Sequence, residues 1–431
     1  MDYHVITPCG ELLGCAGRVP GVAAYKGIRY ATAARFQKPV PYLSKVPVYD
    51  ATAYGYTCPQ PGQPAGSFYD REFWHHKEYA TEKREDCLYL NIWRPDHGEN
   101  LPVAIWIHGG AFLNGFGSKV EIDGEWLNKQ GVILVSINYR VGILGFLCHP
   151  MLEEAYGYCG NYGIYDQLCA INWVREHIAS FGGDPNHITV MGQSAGAMSV
   201  QTLISSPLLP EGVTGAVMQS GGGIENFLNA SKTLASQKEL HGELLEEMGI
   251  DTLDKLLQAD ADRLVADSCV FTERRKIPNL LFAPTIHTDL LPDTYEALVR
   301  GGHVRDIPCL IGCTRNDITV GDDLYSSPIY TGCVKWALAT EQAGHTPSYV
   351  YVFDRAPLGG EGQGAFHSCD LWYSFHTLGR SWREKEPVDY QIADEMNRRW
   401  ADFIRTGSPN DETLPPWSPF TEANPEVKHF G

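Results

Sequence analysis

The stretch that most constrains this chain is a Gly-x-Ser-x-Gly pentapeptide between a strand pattern and a helix pattern. An apolar run at 188–191 enters it, Ser194 lies at its centre, and a helix-forming run at 195–203 follows. A strand that reverses so sharply into a helix brings two backbones together, so a Cβ at Gly192 or Gly196 would clash. The pattern predicts a tight turn that exposes the Ser194 hydroxyl beside the free N–H groups of the new helix. The same pentapeptide also occurs by chance in loops, but the flanking strand and helix argue against that reading.

Apolar strand patterns alternate with helical patterns along the whole chain. The strand patterns lie at 101–107, 132–137, 215–219, 307–312 and 349–353, and the clearest helical patterns lie at 164–181 and 389–406. This alternation predicts an α/β fold with a mostly parallel central sheet covered by helices on both faces. No linker divides the chain, so we expect one domain over residues 1–431. Two excursions from the sheet are expected to form the pocket. The one near 58–87 is predicted to be a polar and aromatic loop, and the one near 223–300 is predicted to contain a helical cap at 231–266.

Composition and charge exclude several classes of function. The 431 residues are 43% hydrophobic, which is enough for a large core, and the formal net charge of −18 would repel nucleic acids and anionic membranes. We therefore expect neither partner. Residues 1–5 show no secretory signal, so we expect a cytoplasmic protein. The 12 cysteines form no CxxC motif and no zinc-type Cys/His cluster. The chemistry of a serine nucleophile with a base and an acid implies no metal or organic cofactor, so none is expected.

A serine nucleophile needs a base, and the base needs an acid that fixes its tautomer. In the strand–turn–helix arrangement around Ser194, the chain order is serine, acid, histidine, each on a loop after a strand. Asp317 follows the strand pattern at 307–312, and His367 follows the one at 349–353. They are the candidate acid and base. From topology alone, Asp317 could equally be a turn or helix-cap residue, and His367 a surface loop histidine.

Backbone donors for a developing oxyanion are predicted at two places. Gly109 and Gly110 directly follow the buried strand pattern at 101–107, and Ala195 begins the helix after Ser194. Each N–H aimed at the negative oxygen of a tetrahedral intermediate contributes roughly 10²–10³ in rate. The neighbouring His108 is expected to hold this loop in place, with a role as second base as the lesser alternative.

These segments together resemble the type-B carboxylesterase family of α/β-hydrolases, the group that includes cholinesterases and bacterial p-nitrobenzyl esterases. The resemblance runs nearly end to end. The matching segments are residues 25–31 with 35–36, 85–91, 108–112, 138–140, 181–185, 192–196, 219–221 and 400–409.

The resemblance implies the α/β-hydrolase fold and a serine carboxylesterase acting on small ester substrates. It places the nucleophile on Ser194, the acid on Asp317 and the base on His367, and it matches Ser220 to a serine that braces the buried acid. The same machinery could act on thioesters, carbamates, lactones or activated amides. A remote alternative is a non-catalytic binding protein of the cholinesterase type. The sequence leaves open whether the protein is a monomer or a dimer.

Two departures from the family pattern bear on the catalytic groups. The family usually has glutamate where this chain has Gln193, so one carboxylate is missing near His367. A negative charge stabilises the protonated imidazole, so we expect a base that deprotonates more readily and activity that extends to lower pH. The expected acid, Asp317, is an aspartate where the family usually has a glutamate, which is one methylene longer. On either side of it, Asn316 replaces the usual aspartate and Ile318 replaces the usual glycine. Either the backbone near this acid moves towards His367, or their hydrogen bond lengthens.

The pocket is also predicted from the resemblance. Relatives carry a longer helical insertion between the acid and the histidine than the 50 residues here, so we expect a shallow, open pocket that admits bulky or branched esters. Phe73 and Trp74 are candidates for its aromatic wall, with Phe112 beside the oxyanion glycines. Cys58 and Cys87 match a disulfide of secreted relatives, and without a signal sequence we expect free thiols.

Overall fold

The computed structural model describes residues 3–44, 46–226, 232–277, 280–318, 323–360 and 362–431. Its strands are β1 (His4–Thr7), β2 (Gly10–Leu13), β3 (Cys15–Ala16), β4 (Val22–Arg29), β5 (Ala31–Thr32), β6 (Val40–Pro41), β7 (Val48–Asp50), β8 (Tyr89–Pro95), β9 (Leu101–Ile107), β10 (Ile133–Ile137), β11 (Gly183–Gln193), β12 (Val213–Gln219), β13 (Lys232–Thr233), β14 (Thr285–Ile286), β15 (Cys309–Thr314), β16 (Tyr349–Phe353) and β17 (Val427–Phe430).

The helices of the same described residues are α1 (Phe68–Phe73), α2 (Glu125–Lys129), α3 (Gly142–Phe146), α4 (Pro150–Tyr156), α5 (Tyr162–His177), α6 (Ala195–Ile204), α7 (Leu234–Glu247), α8 (Leu253–Gln258), α9 (Ala261–Arg275), α10 (Tyr295–Arg300), α11 (Pro328–Gln342), α12 (Leu371–Ser374) and α13 (Pro387–Thr406). None of them combines the length and the apolar character needed to cross a membrane.

A ten-stranded sheet organises the molecule in the spatial order β17-β16-β15-β12-β11-β9-β10-β8-β4-β3. The ladders from β17 through to β10 are parallel, and those joining β10 to β8, β8 to β4 and β4 to β3 are antiparallel. The predicted, mostly parallel sheet is therefore confirmed. Because β9, β11, β15 and β16 run in the same direction, the loops after them leave the sheet at one edge.

Side chains of the central strands alternate between two apolar layers, as the pleat of a strand requires. In β9, Val103 and Ile105 pack into the core on one face of the sheet, whereas Ala104 and Trp106 pack into the core on the other face. All four side chains are at most 1% exposed. Burial on both faces explains why this strand reads as a continuous apolar run in the sequence.

The helical cap predicted at 231–266 corresponds to α7, α8 and α9, and its first position, 231, lies outside the described residues. Each begins with a side-chain cap: Thr233 accepts from the N–H of Ser236, Thr252 from that of Lys255, and Asp260 from that of Arg263. These helices are half-exposed and bury an apolar stripe that includes Leu244, Leu256 and Leu264.

The segment at 58–87, expected to be a loop, contains the short helix α1. Ser67 caps this helix by accepting the N–H of Asp70. The helix is only six residues long and three of them are aromatic, so it is too short to show a helical period in the sequence. Phe68 contacts Phe366 at 4.9 Å, and Phe73 stacks on Trp372 at 5.6 Å between ring centroids.

Candidate active site

Ser194 lies at the turn between β11 and α6, in a backbone conformation that few non-glycine residues adopt. Its φ is 57° and its ψ is −127°. A Cβ built on Gly192 would lie 2.4 Å from the carbonyl carbon of Gly196, and one built on Gly196 would lie 2.1 Å from the carbonyl oxygen of Ile107. The turn therefore fits between β9 and its own helix only with glycine at both positions.

The loop after β9 passes directly beside the serine. A Cβ on Gly109 would lie 3.0 Å from the Ser194 Cβ and 2.5 Å from the Gln193 carbonyl oxygen, so this backbone reaches the nucleophile only as glycine. Gly110 has a φ of 117°, and its position is fixed by Leu113 and Asn114, whose N–H groups donate to the Gly110 carbonyl. The predicted oxyanion donors thus lie on either side of the serine, with Ala195 at the first position of α6, where N–H groups lack an intrahelical acceptor.

His367 and Asp317 lie in direct contact, as a base and its acid require. His367 Nδ1 lies 2.6 Å from Asp317 Oδ1, and both side chains are buried, at 7% and 0% exposure. Asp317 also accepts the N–H and the hydroxyl of Thr314 at Oδ2, at 3.0 and 3.1 Å, and the N–H of Ile318 at Oδ1. Burial raises the pKa of Asp317, but His367 and these hydrogen bonds outweigh it, so the pKa lies below its usual value.

The predicted brace, Ser220, follows β12. Its hydroxyl helps to lower the pKa of Asp317. The Ser220 Oγ is buried, but it makes no hydrogen bond of standard geometry to any residue that the structure describes. The Ser220 N–H donates to the carbonyl of Gly312 in β15. Its backbone is therefore fixed to the strand that precedes the acid.

Asn316 joins the acid loop to the histidine loop. Its N–H donates to the Ala365 carbonyl at 3.0 Å, and its Oδ1 accepts the Ala365 N–H at 2.9 Å. Gly364, with a φ of 64°, makes room for this contact, since a Cβ there would lie 2.0 Å from Asn316 Oδ1. This pairing draws the two loops together, which explains how an aspartate reaches His367 within 2.6 Å.

Gln193 occupies the other side of the imidazole. Its amide Nε2 lies 3.1 Å from His367 Nε2, the nitrogen that would receive the serine proton. With the Nδ1 proton donated to Asp317, His367 Nε2 is an acceptor and the amide is the donor. The hydrogen bonds of the His367 ring therefore go to Asp317 and Gln193, and none joins it to the Ser194 hydroxyl among the described residues. A hydrogen bond between a catalytic base and its nucleophile commonly forms in full only when substrate binds.

The contacts of His108 are those of a residue that supports the loop. Its Nδ1 lies 2.9 Å from the Gly109 carbonyl, and its ring stacks on Tyr139 at 4.3 Å. The hydroxyl of Tyr139 donates to the His108 carbonyl at 2.9 Å. Burial lowers the pKa of His108 to about 3, so the ring is neutral near neutral pH. These contacts hold the glycine loop in place.

A pocket of about 220 Å³ opens beside the serine. The catalytic candidates Ser194, Gln193 and His367 line one part, together with Gly109 and Gly110. An aromatic wall lines another part, formed by Tyr69, Phe73, Trp74 and Trp106.

The predicted pocket residues fall in two places. Phe73 and Trp74 line the pocket, whereas Phe112 is absent from its lining and is fully buried against Phe146, with ring centroids 5.1 Å apart. A buried ion pair between Glu72 of α1 and Arg383 holds the aromatic wall. Arg383 donates from Nε to one carboxylate oxygen of Glu72 at 2.9 Å and from a terminal nitrogen to the other at 2.7 Å.

Two charged pocket residues, Lys119 and Glu121, are not among the residues singled out from the sequence. They follow the oxyanion glycines by about ten positions in a stretch without periodicity. Nothing in the sequence marks them as buried. Tyr69, Trp106 and Ile318 also line the pocket. Among the described ranges, no group of three or more His, Cys, Asp or Glu residues could hold a metal ion.

Comparison with known proteins places this chain in a family. A profile of the Carboxylesterase family matches residues 2–322 and 319–431. The para-nitrobenzyl esterase of Bacillus subtilis (strain 168) is 33% identical over 483 residues, which covers 99% of this chain and 94% of that protein. Among solved structures, a thermophilic PNB esterase has a TM-score of 0.89 at 30% identity, covering 100% of this chain and 96% of the other. The Geobacillus stearothermophilus carboxylesterase EST55 has a TM-score of 0.84 at 29% identity, with the same coverage.

The fold is thus the α/β-hydrolase fold, and the protein is a carboxylic-ester hydrolase. The chain belongs to the carboxylesterase family.

The environment of Gln193 leads to a prediction for pH dependence. In Gln193→Glu, a carboxylate next to His367 stabilises the imidazolium, so the neutral base forms only at higher pH. The acidic limb of kcat/KM should therefore move to higher pH in the variant, and the native enzyme should retain more activity in mild acid. A pH profile of kcat/KM for both enzymes measures this shift, and an unmoved acidic limb would contradict it.

The contact of Asn316 with Ala365 leads to a second prediction. Asn316→Ala removes the acceptor for the Ala365 N–H, so the acid and histidine loops should separate slightly and kcat/KM should fall by about tenfold to a hundredfold. Asn316→Asp keeps an acceptor oxygen and should retain most of the activity. Thermal unfolding of both variants checks that their stability is unchanged. If Asn316→Ala then has the same kcat/KM as Asn316→Asp, Asn316 does not position the acid.

Proposed function

We propose that this carboxylesterase forms an acyl-enzyme intermediate on Ser194. His367 takes the hydroxyl proton as serine attacks the ester carbonyl, and then gives it to the departing alcohol. Water activated by the same imidazole releases the acid. The observation that carries this proposal is the 2.6 Å contact between His367 Nδ1 and Asp317 Oδ1, which leaves Nε2 as the proton acceptor in the pocket that Ser194 lines.

The oxyanion of each tetrahedral intermediate is proposed to lie between the N–H groups of Gly109, Gly110 and Ala195. Preorganised backbone donors of this kind stabilise charge that develops only in the transition state. The close approach of Gly109 to Ser194 supports this assignment, because a side chain at 109 would fill the space beside the nucleophile.

Gln193 is proposed to hold the imidazole without adding charge. Its amide donates to the same nitrogen that Ser194 must use, so the two donors alternate at His367 Nε2 during the reaction cycle. A neutral donor leaves the imidazolium less stabilised than a carboxylate would.

The same groups could cleave thioesters, carbamates, lactones or activated amides, and a panel of these substrates at equal acyl length separates them from esters. A non-catalytic binding role disagrees with the full set of nucleophile, base, acid and oxyanion glycines around one pocket.

Removal of the nucleophile tests the proposal directly. Ser194→Ala should lower kcat by about 10⁶, as in comparable triads, and should abolish covalent labelling by an organophosphonate probe. Mass spectrometry of the labelled native protein should place the adduct on Ser194. Labelling that persists in the variant, or a kcat within tenfold of the native value, would exclude this serine.

Acyl length tests the openness of the pocket. Beside Ser194, the aromatic wall and a cavity of about 220 Å³ leave room for more than an acetyl group. We expect kcat/KM for p-nitrophenyl esters to hold or rise from acetate to butyrate and to tolerate branching. A steep fall beyond acetate would show a closed acyl site instead.

A further inference from the structure

The pocket contains one oppositely charged pair that the chemistry at Ser194 does not use. Lys119 and Glu121 both line the cavity, with side chains 15% and 2% exposed. The Lys119 Nζ lies 3.8 Å from Glu121 Oε1, which is within ion-pair range but too long for a hydrogen bond. The second oxygen, Oε2, is buried without a hydrogen-bond partner among the described residues.

Such a pair has unused hydrogen-bonding capacity on both sides. The ammonium group has three donors, and the carboxylate has lone pairs on two oxygens. Leaving Oε2 buried without a donor costs the folded protein free energy, and the oxygen offered to a ligand is Oε1, which faces Lys119. Burial also raises the pKa of Glu121, with Lys119 acting in the opposite direction.

The position of Lys119 disfavours charged ligands. Its Nζ lies over the Trp74 ring, 5.0 Å from the centroid, so the face that would attract a cation already holds one. An anionic ligand that approaches Lys119 meets the carboxylate of Glu121. A hydroxyl group suits both residues, because it accepts from the ammonium and donates to the carboxylate.

We propose that Lys119 and Glu121 bind a hydroxyl group of the substrate, so that the enzyme favours neutral esters with a free hydroxyl on the part that lies against Trp74. This inference rests on the proposed role of Ser194, because the hydroxyl is recognised in the pocket that this serine lines. The hydroxyl can belong to the alcohol or to the acyl part of the ester.

Matched substrate pairs that exchange a methyl for a hydroxyl test the proposal. For the alcohol part, 2-hydroxyethyl butyrate is compared with propyl butyrate, and for the acyl part, ethyl 3-hydroxybutyrate with ethyl 3-methylbutyrate. We expect kcat/KM for the hydroxyl ester to be about 10 to 100 times higher in at least one pair, as hydrogen bonds to charged groups allow. A ratio below threefold in both pairs overturns the proposal.

Charged analogues provide the second arm of the test. If 2-(trimethylammonio)ethyl butyrate or 2-carboxyethyl butyrate has a higher kcat/KM than 2-hydroxyethyl butyrate, one charge of the pair acts alone and the proposal is wrong. We expect both to be poorer substrates, because each meets a like charge beside its partner.

Variants connect any preference to the pair itself. Lys119→Met with Glu121→Leu removes both charges together, which leaves no unpaired buried ion, and the hydroxyl preference should fall to about onefold. Glu121→Gln keeps the shape and should lower the preference severalfold. The surface pair Lys238 and Glu153 supplies the control, since Lys238→Met with Glu153→Leu should leave the ratio unchanged.

A preference that survives in the double variant overturns the proposal. Ser194→Ala separates the two hypotheses. If it hydrolyses propyl butyrate at the native rate, the proposed function fails. If it is inactive while the native enzyme shows no hydroxyl preference, only the inference about Lys119 and Glu121 fails.

Discussion

The close contact between the turn at Ser194 and strand β9 is the constraint on which the site depends. Gly196 lies against the carbonyl of Ile107, and Gly192 lies against Gly196, in spaces where a Cβ would approach to between 2.1 and 2.4 Å. The strained backbone of Ser194, at a cost of about 1–3 kcal/mol, persists because strands β9 and β12 hold β11 on both sides. The same contact brings Gly109 beside the serine, so one packing contact sets the positions of the proposed nucleophile and the proposed oxyanion donors.

The proposed acid and base, Asp317 and His367, are held in place by a different interaction, a pair of hydrogen bonds between their loops. Their loops leave the same edge of the sheet after β15 and β16, but the sheet alone does not set the distance between side chains. Asn316 does so, because its backbone and side chain both pair with Ala365, two residues before His367. A shorter acid is accommodated by drawing the loops together, and the hydrogen bond to His367 is not lengthened.

Much of this arrangement could be predicted from the sequence, and the remainder has physical reasons for escaping it. Strand β9 is a continuous apolar run and the last helix α13 carries a periodic apolar stripe, so their patterns match their observed bounds closely. The segment at 58–87 is expected to be a loop, and helix α1 within it is too short, at six residues, to show a helical stripe. Phe112 is expected in the pocket, whereas its ring packs in the core against Phe146. The family pattern indicated the acid at 317, but the role of Asn316 depends on a contact across 49 positions that no local pattern reveals.

The electrostatics of the pocket depend on two groups that line it, the imidazole of His367 and the oppositely charged pair Lys119 and Glu121. Beside His367, the position where the family usually has a glutamate is the neutral Gln193, so the imidazolium of the proposed mechanism has Asp317 as its direct charged contact. Among the other described lining residues, the charged ones are Lys119 and Glu121, whose opposite charges compensate each other. In the proposed mechanism, a substrate therefore meets a charged pair without net charge, and the imidazole gains positive charge only as the serine proton moves. Such a site discriminates by hydrogen bonding and shape, and not by long-range attraction, despite the net charge of −18 on the whole chain.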